Sequence, residues 1–147
     1  MNRAALGVAA FAGCVVVLAA APRTQQPRRD AKPRTTQSGV FSAAQAERGH
    51  ELYLTLCQSC HAAATHTGPT FRRNWSGRSL AELYSFMSTR MPKSEPGSLA
   101  PETYADLLAY MLQLNQMPAG PTELAPDLAA LKQVKIQLAS TTRRKKT

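Results

Sequence analysis

Apolar side chains recur at helical spacing in three stretches of this chain, with Gly/Pro-rich breaks between them. The first stretch follows Val40. Ser42 and Gln45 read as a capping box, and the helix they open is expected to run to about Cys57. Gly49 and Tyr53 stand at i and i+4 on it, flanked by Leu52 and Leu56. Gly49 has no helical propensity to recommend it, so its use is to let another helix come close. Ser79 and Glu82 make a second capping box, opening a helix through Leu80, Leu83, Tyr84, Phe86 and Met87 that Pro92 stops at or before Met91. Pro101 suits a first helical position, although Ala100 is a poor cap. The third helix carries Tyr104, Leu107, Leu108, Met111 and Leu112 on its apolar face to about Asn115, and Pro118, Gly120 and Pro121 end it. Residues 62–74, with Gly68-Pro69, are expected to form a loop, and Pro96-Gly97 a turn. No strand pattern or internal repeat stands out within this body.

The flanks read differently. Met1-Asn2-Arg3 precedes an apolar run over residues 4–21 that ends Ala19-Ala20-Ala21 before Pro22, the pattern of a secretory signal peptide. The run is also just long enough for an uncleaved membrane anchor. Phe11-Ala12-Gly13-Cys14 resembles a lipoprotein cleavage box, but the apolar residues after Cys14 stand where a polar tether is expected. Residues 23–39 hold two prolines and many charges without apolar periodicity, as a disordered tether does. Near the other end, Leu124, Leu128 and Leu131 are helically spaced, while Val134, Ile136 and Leu138 alternate as an extended strip would. That segment either packs back on the body or adds to a partner. The expected division is a signal peptide or anchor at 1–21, a linker at 22–40, a helical domain at 41–119 and a basic extension at 120–147.

Charge follows the same division. The net charge of +9 comes from the flanks: residues 1–40 carry six basic groups and one acid, residues 120–147 six and two, and residues 41–119 six of each. A body without a basic stripe interleaved with aromatics argues against nucleic acid as a partner. A basic tail suits acidic lipid or an acidic redox protein.

Chemistry concentrates at Cys57-Gln58-Ser59-Cys60-His61. This C-x-x-C-H is the attachment pattern for c-type haem. At i, i+3 and i+4 the two thiols and the imidazole share one helix face, so the thiols can add to the two porphyrin vinyls while His61 reaches iron. A zinc site needs about four ligands, and His50 and His66 lie at unhelpful spacings. A thioredoxin-like pair wants a βαβ context that is not visible. Export fits as well, since haem c is attached outside the bacterial cytoplasm. Met91 is the candidate sixth ligand, because Pro92 biases it toward an extended conformation that swings the thioether out of the helix. Met87 competes, but lies within the helix pattern. Met/His ligation fills both axial positions, which suits electron transfer over oxygen or peroxide chemistry.

With these residues in view, residues 41–119 resemble class I c-type cytochromes. The resemblance rests on Cys57-Gln58-Ser59-Cys60-His61, Gly68-Pro69, Met91-Pro92 and the last helix with Leu107 and Tyr110. It implies an all-α, three-to-four-helix cytochrome c fold around one covalent haem c. It also implies that Gly49 and Tyr53 meet Leu107 and Tyr110 where the first and last helices cross. The carbonyl of Pro69 would orient His61, and Trp75 would lie near a haem propionate or fill the core. A narrower resemblance, Met91-Pro92-Lys93-Ser94-Glu95-Pro96-Gly97-Ser98-Leu99 followed by Tyr104-Ala105-Asp106, is to cytochrome domains found with periplasmic quinoprotein dehydrogenases. The implied function is a periplasmic carrier of single electrons between a redox protein donor and acceptor, without substrate chemistry of its own. Membrane attachment would require that the N-terminal segment be retained. Two rivals stand beside it. One is an open-site haem protein, a peroxidase or gas sensor, with His66 near the haem. The other is an interaction module whose basic tail binds a partner, to be separated from a carrier by deleting residues 120–147.

Overall fold

The computed structural model describes residues 34–139. The expected signal peptide or anchor at 1–21, most of the linker and the Arg143-Arg144-Lys145-Lys146 run lie outside the described residues. Within them, no helix is long and apolar enough to cross a membrane.

Among the described residues, five α-helices and two very short strands follow one another: β1 (Arg34–Thr35), α1 (Ala43–Leu56), α2 (Gly68–Trp75), α3 (Leu80–Arg90), α4 (Pro101–Leu114), α5 (Leu128–Lys132) and β2 (Val134–Lys135). The architecture is the expected small all-α fold. α4 is its centre, with Leu107, Leu108, Ala109, Tyr110, Met111 and Leu112 all buried.

α1 crosses α4 at Gly49. A Cβ at this position would collide with the backbone carbonyl of Asp106, so glycine is the residue that permits the approach. Tyr53, one turn on, packs with Leu107, Tyr110 and Met111, and its ring lies 5.3 Å from that of Tyr110. Arg48 fixes the same crossing from outside through Asp106 (3.0 and 3.1 Å) and Glu123 (2.9 Å to each oxygen). The bonds Arg48 donates to Glu123, and then those to Asp106, raise its pKa, and the bonds Glu123 accepts from Arg48 lower that of Glu123.

The helix starts divide into a complete and a diverted capping box. At α3, the Glu82 carboxylate accepts from the Ser79 backbone N–H at 2.8 Å and from its hydroxyl at 2.9 Å, as expected. At α1, the Ser42 hydroxyl accepts from the Gln45 N–H at 3.0 Å. The Gln45 amide does not return to Ser42. It is buried, and it exchanges two bonds with the Leu124 backbone, at 2.9 and 2.7 Å. A group expected to serve its own helix thus ties down the chain beyond α4.

Two segments depart from the sequence expectation. Residues 62–74 are not a plain loop: a 3-10 turn at Ala63–His66 leads into α2, where Pro69 takes a first-turn position and Phe71 is buried. The chain on either side of the helical body is also ordered. β1 and β2 pair in parallel, Arg34 with Val134 and Thr35 with Lys135. The buried Thr36 hydroxyl donates to the Gln137 carbonyl at 3.0 Å and accepts from its N–H at 2.9 Å. Leu124, Leu131, Val134 and Ile136 join Phe41, Leu80, Leu108 and Leu112 in the core. Residues 34–40 therefore lie within the fold rather than in a tether, and residues 124–136 pack back on the body.

Candidate functional site

The Cys57-to-His61 turn is an extension of α1. Cys57 caps the helix, its N–H donating to the Tyr53 carbonyl at 2.9 Å. The Cys57 carbonyl then accepts from the N–H of Cys60 at 3.1 Å and of His61 at 2.9 Å. Helical bonding thus continues past the regular helix and keeps both thiols and the imidazole together. Cys57 is half-buried and Cys60 exposed. Burial, then the neighbouring Cys60, pushes the Cys57 thiol pKa up.

Met91 is reached from the other direction. α3 runs to Arg90, and Met91 caps it in an extended conformation (φ −130°, ψ 150°), the geometry that Pro92 favours. Its N–H still donates to the Met87 carbonyl at 2.9 Å, so the side chain leaves the helix from an anchored backbone.

Both approaches end at one cavity of ≈ 480 Å³, lined by Cys57, Cys60, His61 and Met91 together with Met87 and Leu107. Its volume falls in the range of cofactor sites, and its wall is mainly apolar. Leu56, Cys60, Phe86 and Lys93 line it and are also exposed, which marks its mouth. Trp75 is on the wall and half-buried, packed edge-on to Phe86 at 5.4 Å. Pro69 is exposed in the first turn of α2 and is not among the lining residues. The donor set of two thiols, one imidazole and one thioether around an apolar hollow fits a covalently held haem, with His61 and Met91 as the groups able to take its iron.

Two buried tyrosines fix the chain at the candidate ligands. Tyr53 of α1 donates its hydroxyl to the His61 carbonyl at 2.7 Å. Tyr104 of α4 donates to the Met91 carbonyl at 2.6 Å. Both also line the cavity. Their helical positions were legible from periodicity, but a hydroxyl's distant partner carries no local signal. His66 also lines the cavity, with its ring 5.2 Å from that of His61. Burial, and then His61, lowers its pKa. The His66 backbone is held by the buried Asn115, whose amide donates to its carbonyl at 2.9 Å.

Residues 44–111 match the family described as cytochrome C oxidase, cbb3-type, subunit III. That span runs from α1 into α4 and includes the Cys57-to-His61 turn and Met91. No curated protein and no solved structure matches the chain.

Proposed function

Taking as premise that residues 44–111 form a c-type cytochrome domain, a haem c electron carrier, we propose that this chain moves single electrons between redox proteins outside the cytoplasm. Cys57 and Cys60 are the attachment thiols, and His61 and Met91 the axial ligands. What supports the assignment is the convergence of all four side chains on one apolar cavity.

The haem supplies a one-electron couple when bound, and the thioether ligand favours the ferrous state. The chain does the rest. The Cys57 carbonyl and Tyr53 hold His61 at one fixed place, while Met87 and Tyr104 hold the Met91 backbone. A ligand whose backbone is fixed on both sides moves little between oxidation states, which keeps reorganisation small. Leu107, Met111 and Leu83 exclude water from the wall. Trp75 closes the side near α2, and Pro69 is assigned the orientation of His61 through its carbonyl. The matched family's description as an oxidase subunit supports a respiratory role. The resemblance of residues 91–99 supports a periplasmic quinoprotein dehydrogenase as donor.

Optical spectra of the exported chain, oxidised and reduced, with and without carbon monoxide, test the reading. The expected result is a c-type spectrum with a methionine–ferric charge-transfer band and little response to carbon monoxide. Strong carbon monoxide binding would favour the open-site alternative, and a chain without haem would refute both.

A further inference from the structure

The helical body has equal numbers of acids and bases, but they fall on different helices. Glu47 and Glu51 lie on α1, and Glu102 and Asp106 on α4. Arg48, the single Arg or Lys on those two helices, is taken up by Asp106 and Glu123. The body's other five cations, Arg72, Arg73, Arg78, Arg90 and Lys93, fall on α2, on α3 and just after each, with Glu82 and Glu95 as the acids there.

Four of these cations gather where the cavity opens. Lys93 lines the cavity itself. Arg73 and Arg78 line an adjoining hollow of ≈ 570 Å³ that shares Trp75 and Phe86 with it. The Arg78 guanidinium lies 4.9 Å from the Trp75 ring centre, and that of Arg90 5.8 Å from Phe86. Arg78 is paired with Glu82. Among the described residues, Arg73, Arg90 and Lys93 make no ion pair with a carboxylate. Phe86 lines both hollows and is 43% exposed. An exposed aromatic with one arginine over its ring and further cations on the hollows it lines has the composition of an interface core with a steering rim.

We propose that this rim of Arg73, Arg78, Arg90 and Lys93 around Phe86 docks the carboxylate-rich face of a redox protein partner against the cavity mouth. The inference rests on the electron-carrier reading and names the partner's chemistry. Opposite charges steer the encounter, and Phe86 supplies the apolar contact that excludes water once the partner is seated.

The test is the rate at which the full-length oxidised holoprotein is reduced by an acidic protein, flavodoxin in its hydroquinone form. One electron leaves the flavin and enters the ferric haem. Reduced riboflavin, too small to span the rim, serves as the second donor. The variant carries Arg73→Gln and Arg90→Gln. Its control carries Arg34→Gln and Lys132→Gln, the same charge removed from exposed positions elsewhere. The rim variant is expected to slow flavodoxin about tenfold at low ionic strength and to flatten its salt dependence, with the control within about twofold of the parent. Riboflavin should reduce all three alike. Equal slowing in both variants would assign the effect to overall charge, and an unaffected rim variant would remove the rim from docking; either overturns the proposal. A rim variant with parent rates that loses binding to an oligothymidine strand would assign the rim to another polyanion and overturn it too. A chain without haem, or one that riboflavin cannot reduce, would instead fail the electron-carrier reading, and the docking proposal with it.

Discussion

The two arms that carry the candidate iron ligands are built on opposite principles. His61 sits four residues after Cys57, in a turn closed by that residue's own carbonyl. Met91 is separated from His61 by 29 residues, and depends on α3 to deliver it and on α4, through Tyr104, to hold its carbonyl. The first arm is local and would be locked further by covalent attachment. The second is held by the fold alone. Loosening of the molecule should therefore show first at Met91, as loss of methionine ligation before loss of the histidine.

The sharpest break is Met91→Ala. It should abolish the charge-transfer band, open the iron to carbon monoxide and lower the reduction potential by on the order of 0.1 V or more, within the roughly 0.8 V range that axial ligands command. Potentiometry and spectra check it, and an unchanged potential would mean that another residue serves.

Next in size, Gly49→Leu forces a side chain into the Asp106 carbonyl. The expected cost is about 3 kcal/mol, measured by guanidinium unfolding. The methionine band should disappear at lower denaturant than the helical signal, because parting α1 from α4 disturbs the non-local arm first.

The tyrosines sharpen the contrast. Tyr104→Phe and Tyr53→Phe each remove one hydrogen bond to a ligand residue's carbonyl, worth about 1 kcal/mol. The first should shift loss of the band ahead of global unfolding. The second should shift both together, since His61 keeps its Cys57 bond. Identical behaviour of the two variants would erase the distinction between the arms.

The smallest effect comes from the far end of α3. Its bonds to the Ser79 backbone and side chain, and then to Arg78, hold Glu82 at about 2, below its ordinary 4.5. A carboxylate with a depressed folded pKa contributes stability that is present above about 4.5 and lost as pH falls toward about 2. Acid titration should weaken α3 in that window, and Glu82→Gln should flatten this part of the profile.

What could be read from the sequence follows the same line between local and distant. The C-x-x-C-H turn, the Ser79–Glu82 box and the extended Met91 before Pro92 are all set by neighbours, and each was legible. α2 falls within residues 62–74, which read as a loop because Gly68-Pro69 breaks the pattern, although proline at a first helical position is a usable signal. The Gln45 amide read as half of a capping box because nothing nearby reveals Leu124 as its partner. The pairing of Arg34–Thr35 with Val134–Lys135 was not legible, since strands of two residues have no period and their partners stand a hundred positions apart. The rim around Phe86 joins cations from two separate stretches, 73–78 and 90–93, and nothing local reveals that the Trp75–Phe86 contact between α2 and α3 brings those stretches together.

The parallel clasp also changes how the molecule can be cut. The matched span ends at Met111, yet Leu131, Val134 and Ile136 belong to the core and Gln45 is committed to Leu124. A recombinant fragment stopped at residue 119 would expose an oily groove along α3 and α4 and strand a buried amide. Loss of partner binding in such a fragment would report a damaged interior as readily as a missing docking tail. Limited proteolysis should find residues 121–123, exposed between α4 and the clasp, and a nick there should leave the two pieces associated until denaturant parts them.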